Sequence, residues 1–147
     1  MLYDRSSMGA LEEDVRTVAG VWFDHDAHES LAEFVYQLPL AHVELDPHDQ
    51  YESHATFDIE QMVRLFVLAS ARGIDSETTL VEFLRDRPVV QDELDFESIP
   101  DQSTLWRTWN ERFSRNLRET VSRCGQIALI EAERADVSTP REVSESE

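Results

Sequence analysis

The sequence contains no lysine. Its 13 cationic side chains are all arginine, and they face 31 carboxylates, for a formal net charge of −18. A single cysteine, Cys124, excludes an internal disulfide and a cysteine-rich zinc module. Only four glycines occur in 147 residues, and few runs alternate apolar with polar, so strands give way to helices as the expected elements. No apolar run approaches the roughly 20 residues that a membrane-spanning helix needs. The opening Met1-Leu2-Tyr3-Asp4-Arg5 has no basic segment leading into an apolar stretch, so no signal peptide is expected and the cytoplasm is the expected compartment. There is no glycine-rich phosphate loop, no Gly-x-Ser-x-Gly and no His-Glu-x-x-His. The sequence therefore offers no catalytic residue, no metal ligand set and no cofactor.

What is present begins with the acids, which are spread from Asp4 to Glu147 rather than gathered in one block. That distribution fits a general solvated surface better than a nucleic-acid mimic. It is the pattern of adaptation to concentrated salt, where a Debye length of about 3 Å at 1 M removes the self-repulsion. A hydrophobic content of 41% is enough for a real core.

The pattern predicts an all-α, multi-helix bundle with a helix-turn-helix-like arrangement and a long C-terminal helix. Leu11, Val15 and Val18 predict a helix over 11–20, and a second is expected from Ser30 to Leu38, stopping at Pro39. Residues 40–56 read as polar and irregular. Asp58 then reads as a helix cap, with Gln61 completing a capping box. Ile59, Met62, Val63, Phe66, Val67 and Ala69, widened by Leu65 and Leu68, make this helix apolar on so many sides that it should be central. Gly73 should end it. Asp75 or Ser76 should cap the next, whose Leu80, Val81, Phe83 and Leu84 face inward, and Pro88 should stop that helix or begin a further turn to Leu94.

From Ser103, the residues Trp106, Trp109, Phe113, Leu117, Val121 and Cys124 recur every three or four positions. They predict one helix with a buried stripe that includes both tryptophans and an inert thiol. Gly125 either interrupts this helix or lets it continue to about Asp136. Arg107, Arg112, Arg115, Arg118 and Arg123 fall on the opposite arc, and with Glu111 and Glu119 the segment carries a local charge of +3. Guanidinium forks suit phosphate oxygens, and Ser103 and Thr104 offer backbone N–H groups at the helix start. A solvated face with pairs such as Glu111–Arg115 and Arg115–Glu119 is the alternative. His25, His28, His42, His48 and His54 lie among carboxylates, but with no cysteine nearby they read as exposed loop residues rather than a metal site.

Three segments carry a resemblance: Met62-Val63-Arg64-Leu65-Phe66-Val67-Leu68, the stretch from Gly73 to Leu84, and Ile99-Pro100-Asp101-Gln102-Ser103-Thr104-Leu105-Trp106-Arg107. Together, from Phe57 to about Arg134, they resemble the N-terminal region of insertion-sequence transposases with a DDE catalytic core, particularly those of haloarchaea. The resemblance implies a DNA-binding helical domain (57–135); residues 1–56 lie outside it as an N-terminal helical or irregular segment, and the Ser/Glu-rich composition of 136–147 predicts a disordered acidic tail. The resemblance implies a non-catalytic domain, truncated or stand-alone, that binds the terminal repeats of a mobile element. Gln102, Ser103, Thr104, Arg107, Thr108, Arg112, Arg115 and Arg118 are the residues expected at DNA. The alternative is a protein-interaction or dimerisation module, or a regulator that assembles with a full-length transposase.

Overall fold

The computed structural model describes residues 8–25, 31–36, 38, 40, 44–51 and 56–134. Among them the chain forms α1 (Met8–His25), α2 (Leu31–Tyr36), α3 (Ile59–Arg72), α4 (Glu77–Arg85), α5 (Pro88–Glu93), α6 (Gln102–Arg107) and α7 (Arg115–Arg134). A 3-10 turn lies at Asp46–His48 and a π-helical turn at Thr108–Arg112. The described residues hold no strand, only one antiparallel bridge between Asp49 and Phe113.

The centre of the bundle is α3, as its apolar circumference requires. Nine of its residues are buried, from Ile59 to Ala71, and Leu65 and Leu68 are fully enclosed. Each such leucine contributes about 1.5–3 kcal/mol relative to exposure. Gly73 terminates the helix at φ 76°, and the Ile74 N–H returns to the Ala69 carbonyl at 2.9 Å. The expected capping box at the other end does not form. Asp58 is the N-cap but accepts no side-chain bond. Gln61 instead turns outward, its amide donating to the Leu94 and Asp95 carbonyls at 3.0 and 2.7 Å, where it ties down the turn after α5.

Ser76 is the cap of α4, accepting from the Thr79 N–H at 3.1 Å. Leu80, Phe83 and Leu84 are buried as expected, whereas Val81 is half-buried at the margin. The guanidinium carbons of Arg72 and Arg87 lie 4.9 and 4.4 Å from the Phe83 ring centroid, so two cations rest on one aromatic. Pro88 opens α5, where its missing N–H costs nothing.

The longest helix, α7, packs most extensively against α1 and α3. Its seam is Leu117, Val121, Cys124, Ala128 and Ala132, all buried. Leu11, Val15 and Ala19 of α1 face the core, and α1 starts earlier than the sequence pattern suggests, at Met8. Phe34, Val35, Leu38, Leu40 and Leu45 join the same core from upstream of residue 57. Gly125 does not interrupt α7; it lies in the α3 contact, beside Ser70, whose hydroxyl donates to the Ser122 carbonyl at 3.0 Å.

Cys124 is enclosed, and burial pushes its thiol from an ordinary 9.0 up to about 12. The native state thus keeps a proton that the unfolded chain releases near pH 9. The stability this thiol contributes is complete below pH 9 and declines as pH rises, by about 1.4 kcal/mol per unit until about pH 12. Urea unfolding of the native protein from pH 8 to 11 should show a steeper alkaline loss than the Cys124→Ala variant. Equal slopes would mean that the thiolate is tolerated in the fold.

Candidate nucleic-acid interface

Asp101 starts α6. Its Oδ1 accepts the Thr104 N–H at 2.7 Å, and that bond holds the Asp101 carboxyl below the usual carboxylate range. Leu105 anchors the inner face, and the Thr108 hydroxyl donates back to the Thr104 carbonyl at 2.8 Å. The backbone then widens into the π turn, with the Phe113 N–H reaching Thr108 O at 2.9 Å, and Phe113 itself is extended (φ −73°, ψ 133°). Ser114 restarts the helix: its hydroxyl accepts the Leu117 N–H at 3.0 Å.

The expected single helix from Ser103 to Cys124 is therefore two helices meeting at a joint. What breaks it is the segment 48–51. The Gln50 N–H donates to Arg112 O at 2.7 Å and the Ser114 N–H to His48 O at 2.9 Å, so these groups leave the helical ladder for an antiparallel bridge. His48 Nδ1 lies 3.0 Å from the Ser114 hydroxyl. Arg112 completes the clamp. Its Nε and Nη2 donate to Asp49 Oδ1 and Oδ2 at 3.0 and 3.1 Å, and Nη1 donates to Phe57 O at 2.5 Å. Asp49 also accepts the Tyr51 N–H at 3.0 Å.

This joint redistributes the expected DNA-facing residues. Arg112 is buried against Asp49 rather than presented to solvent. Thr108 is buried, and Thr104 is half-buried with its N–H already taken by Asp101. Arg118 Nη1 turns to the carbonyls of Trp109, Asn110 and Phe113 at 3.2, 3.2 and 3.5 Å, closing the end of the π turn. Arg123 bonds Glu12 of α1 at 2.7 Å. Arg115 remains outside, its side chain 84% exposed with Glu119 at 3.5 Å. Gln102, Ser103 and Arg107 are exposed, and Arg107 has no ion pair among the described residues.

The two tryptophans part company. Trp109 is half-buried, its ring centroid 5.1 Å from Phe66 and 5.9 Å from Phe113. Trp106, expected in the core, is 48% exposed. The wider π turn rotates the residues before it relative to Phe113, so Trp106 leaves the stripe. It borders a groove of about 360 Å³ with Glu77, Gln102, Ser103, Arg107 and Glu111. On its other side, Arg107 shares a recess of about 230 Å³ with Tyr51, Thr56 and Thr104. The Tyr51 hydroxyl donates to Glu111 Oε1 at 3.1 Å, and burial followed by this contact pushes the phenol above its usual range.

Asp49 and Tyr51 carried no signal in the sequence, because their partners are 63 and 60 residues away. Among the histidines, the side chains of His25, His28, His42 and His54 lie outside the described residues. The described residues hold no group of three or more His, Cys, Asp or Glu placed for a metal, and no helix long and apolar enough to cross a membrane.

The transposase domain family DUF772 matches residues 24–111, more than half of the chain. The chain belongs to this family. No curated protein and no solved structure matches it. The match begins well upstream of Phe57 and so includes residues 24–56, which lie outside the resemblance read from the sequence. It takes in Asp49 and Tyr51 of the clamp, all of α3 to α6, and the π turn as far as Glu111.

Proposed function

We propose that this transposase domain is a non-catalytic DNA-binding module that engages the ends of a mobile element, using the outer face of α6 and the start of α7. The observation that carries the proposal is the set of side chains α6 leaves exposed: Gln102, Ser103, Trp106 and Arg107, with Arg115 beyond the joint. Arginine and glutamine carry the hydrogen-bond geometry for phosphates and base edges, and an exposed indole can pack on a sugar or base. Arg112 and Arg118 serve this face indirectly by fixing the joint, and Thr104 and Thr108 by fixing α6 itself. The lysine-free acidity is adaptation to concentrated salt, which screens the net −18 from the phosphates.

With two phosphates neutralised, log affinity should fall with log salt at a slope of about −2. Arg107→Gln and Arg115→Gln should each remove about one unit of that slope. Binding is measured by fluorescence anisotropy on element-end and mixed-sequence duplexes. Equal affinity for both duplexes at every salt level would overturn sequence-specific recognition of element ends.

Trp106, 48% exposed beside the groove it shares with Arg107, favours a second reading, a helical surface for dimerisation or for docking on a full-length transposase. Arg107→Gln and Arg115→Gln separate the readings. Changed assembly with unchanged DNA affinity supports the second.

A further inference from the structure

We infer that Tyr51 is a positioning residue for Arg107: its phenol holds the Glu111 carboxylate aside and leaves the Arg107 guanidinium open to a phosphate. The inference rests on the DNA-binding reading above. Arg107 and Glu111 are four residues apart, the spacing at which opposite charges on a helix meet. The same pairing in the same order does close eight residues further on, at the start of α7, where Arg115 reaches Glu119 at 3.5 Å. Arg16–Glu13 and Arg134–Glu131 close at 2.8 and 3.1 Å. Arg107–Glu111 does not close, although both side chains line the same groove.

Two features hold them apart. Glu111 lies in the π turn, which displaces it from the α6 register, and its Oε1 accepts the Tyr51 hydroxyl at 3.1 Å. Tyr51 is itself fixed by the clamp, through its N–H to Asp49 and through the neighbouring Gln50 N–H to Arg112 O. The raised phenol remains a protonated donor at neutral pH. Of the two cations on this face, Arg115 already has Glu119 at 3.5 Å, and Glu111 is the carboxylate nearest in sequence that could take Arg107.

Tyr51→Phe deletes the hydroxyl and keeps the ring. Glu111 is then released to Arg107, and affinity for a short fluorescein-labelled mixed-sequence duplex at low salt should fall about two- to threefold, the effect of one exposed ion pair. Glu111→Gln alone should bind at least as well as the native chain. In the Glu111→Gln background Tyr51→Phe should have no effect, because no carboxylate remains to compete. A double variant as weak as Tyr51→Phe alone would assign Tyr51 a structural role and overturn the inference, as would unchanged binding by Tyr51→Phe. Arg107→Gln distinguishes the levels. If it weakens binding while Tyr51→Phe does not, only the inference falls; if it leaves binding unchanged, the DNA-binding role of this face falls with it.

Discussion

Replacing Asp49 with alanine should cost about 3–5 kcal/mol of stability, the cost of leaving one charge of a buried pair without its partner. The Arg112 and Asp49 side chains are 5% and 2% exposed, so water cannot replace a lost partner. Every strong contact in the pair is directional. Arg112 donates three bonds, two to Asp49 and one to Phe57 O, and Asp49 accepts a third from the Tyr51 N–H. Asp49→Ala strands a guanidinium against the Phe57 carbonyl, and Arg112→Met strands a carboxylate beside the Tyr51 amide. The two together, Asp49→Ala with Arg112→Met, remove both charges and should recover much of the loss, less the cost of the cavity that alanine leaves. A double-mutant cycle by urea unfolding measures the coupling. A cost below about 1 kcal/mol for Asp49→Ala would place the pair in the range of solvated surface bridges, and the joint would then be held by the backbone bridge alone.

The clamp also explains which parts of this fold the sequence made legible. Helix positions and ends set by residues within a turn or two were legible, though not the Asp58–Gln61 capping box, whose Gln61 is drawn to the Leu94 and Asp95 carbonyls. The apolar circumference of Ile59–Arg72 announced a central helix, Gly73 its end, Ser76 the next cap and Pro88 a new first turn. The segment from Ser103 to Cys124 misled because its three-to-four spacing is unbroken, and nothing local forbids a continuous helix. The interruption comes from His48 and Asp49 on a stretch without periodicity. Once the joint forms, the wheel that grouped five arginines no longer applies. Arg112 turns inward, Arg118 caps carbonyls, Arg123 reaches α1, and Trp106 moves from the expected core to the surface. The local charge of +3 was a correct count, but much of it is spent inside the molecule on partners that no local window contains.

Gly125→Ala should destabilise the protein by about 1–3 kcal/mol, the range for forcing extra volume into a packed contact. The sign is the informative part. In a helix interior, alanine in place of glycine ordinarily stabilises by about 0.5–1 kcal/mol, and Gly125 lies well inside α7. Here a methyl group would meet Ser70 Oγ and lie 2.5 Å from Ser70 Cβ and 2.9 Å from the Ala71 backbone nitrogen. Two of these atoms are fixed to the α3 backbone, so no rotamer change relieves them and α7 must move away from α3. The same movement would break the 3.0 Å bond from Ser70 to Ser122 O and loosen Leu117, Val121 and Cys124 in the shared seam. Ser70→Gly in the Gly125→Ala background removes Oγ and Cβ but not the Ala71 nitrogen, so it should recover part of the loss, less what glycine costs α3 in helix propensity. Urea unfolding of the two single variants and the double variant gives the coupling directly. Because α7 begins immediately after the joint, the displaced helix should also carry Arg115 away from the α6 face. A Gly125→Ala protein more stable than the native one would show that α3 and α7 do not approach this closely, and the glycine would have no packing role.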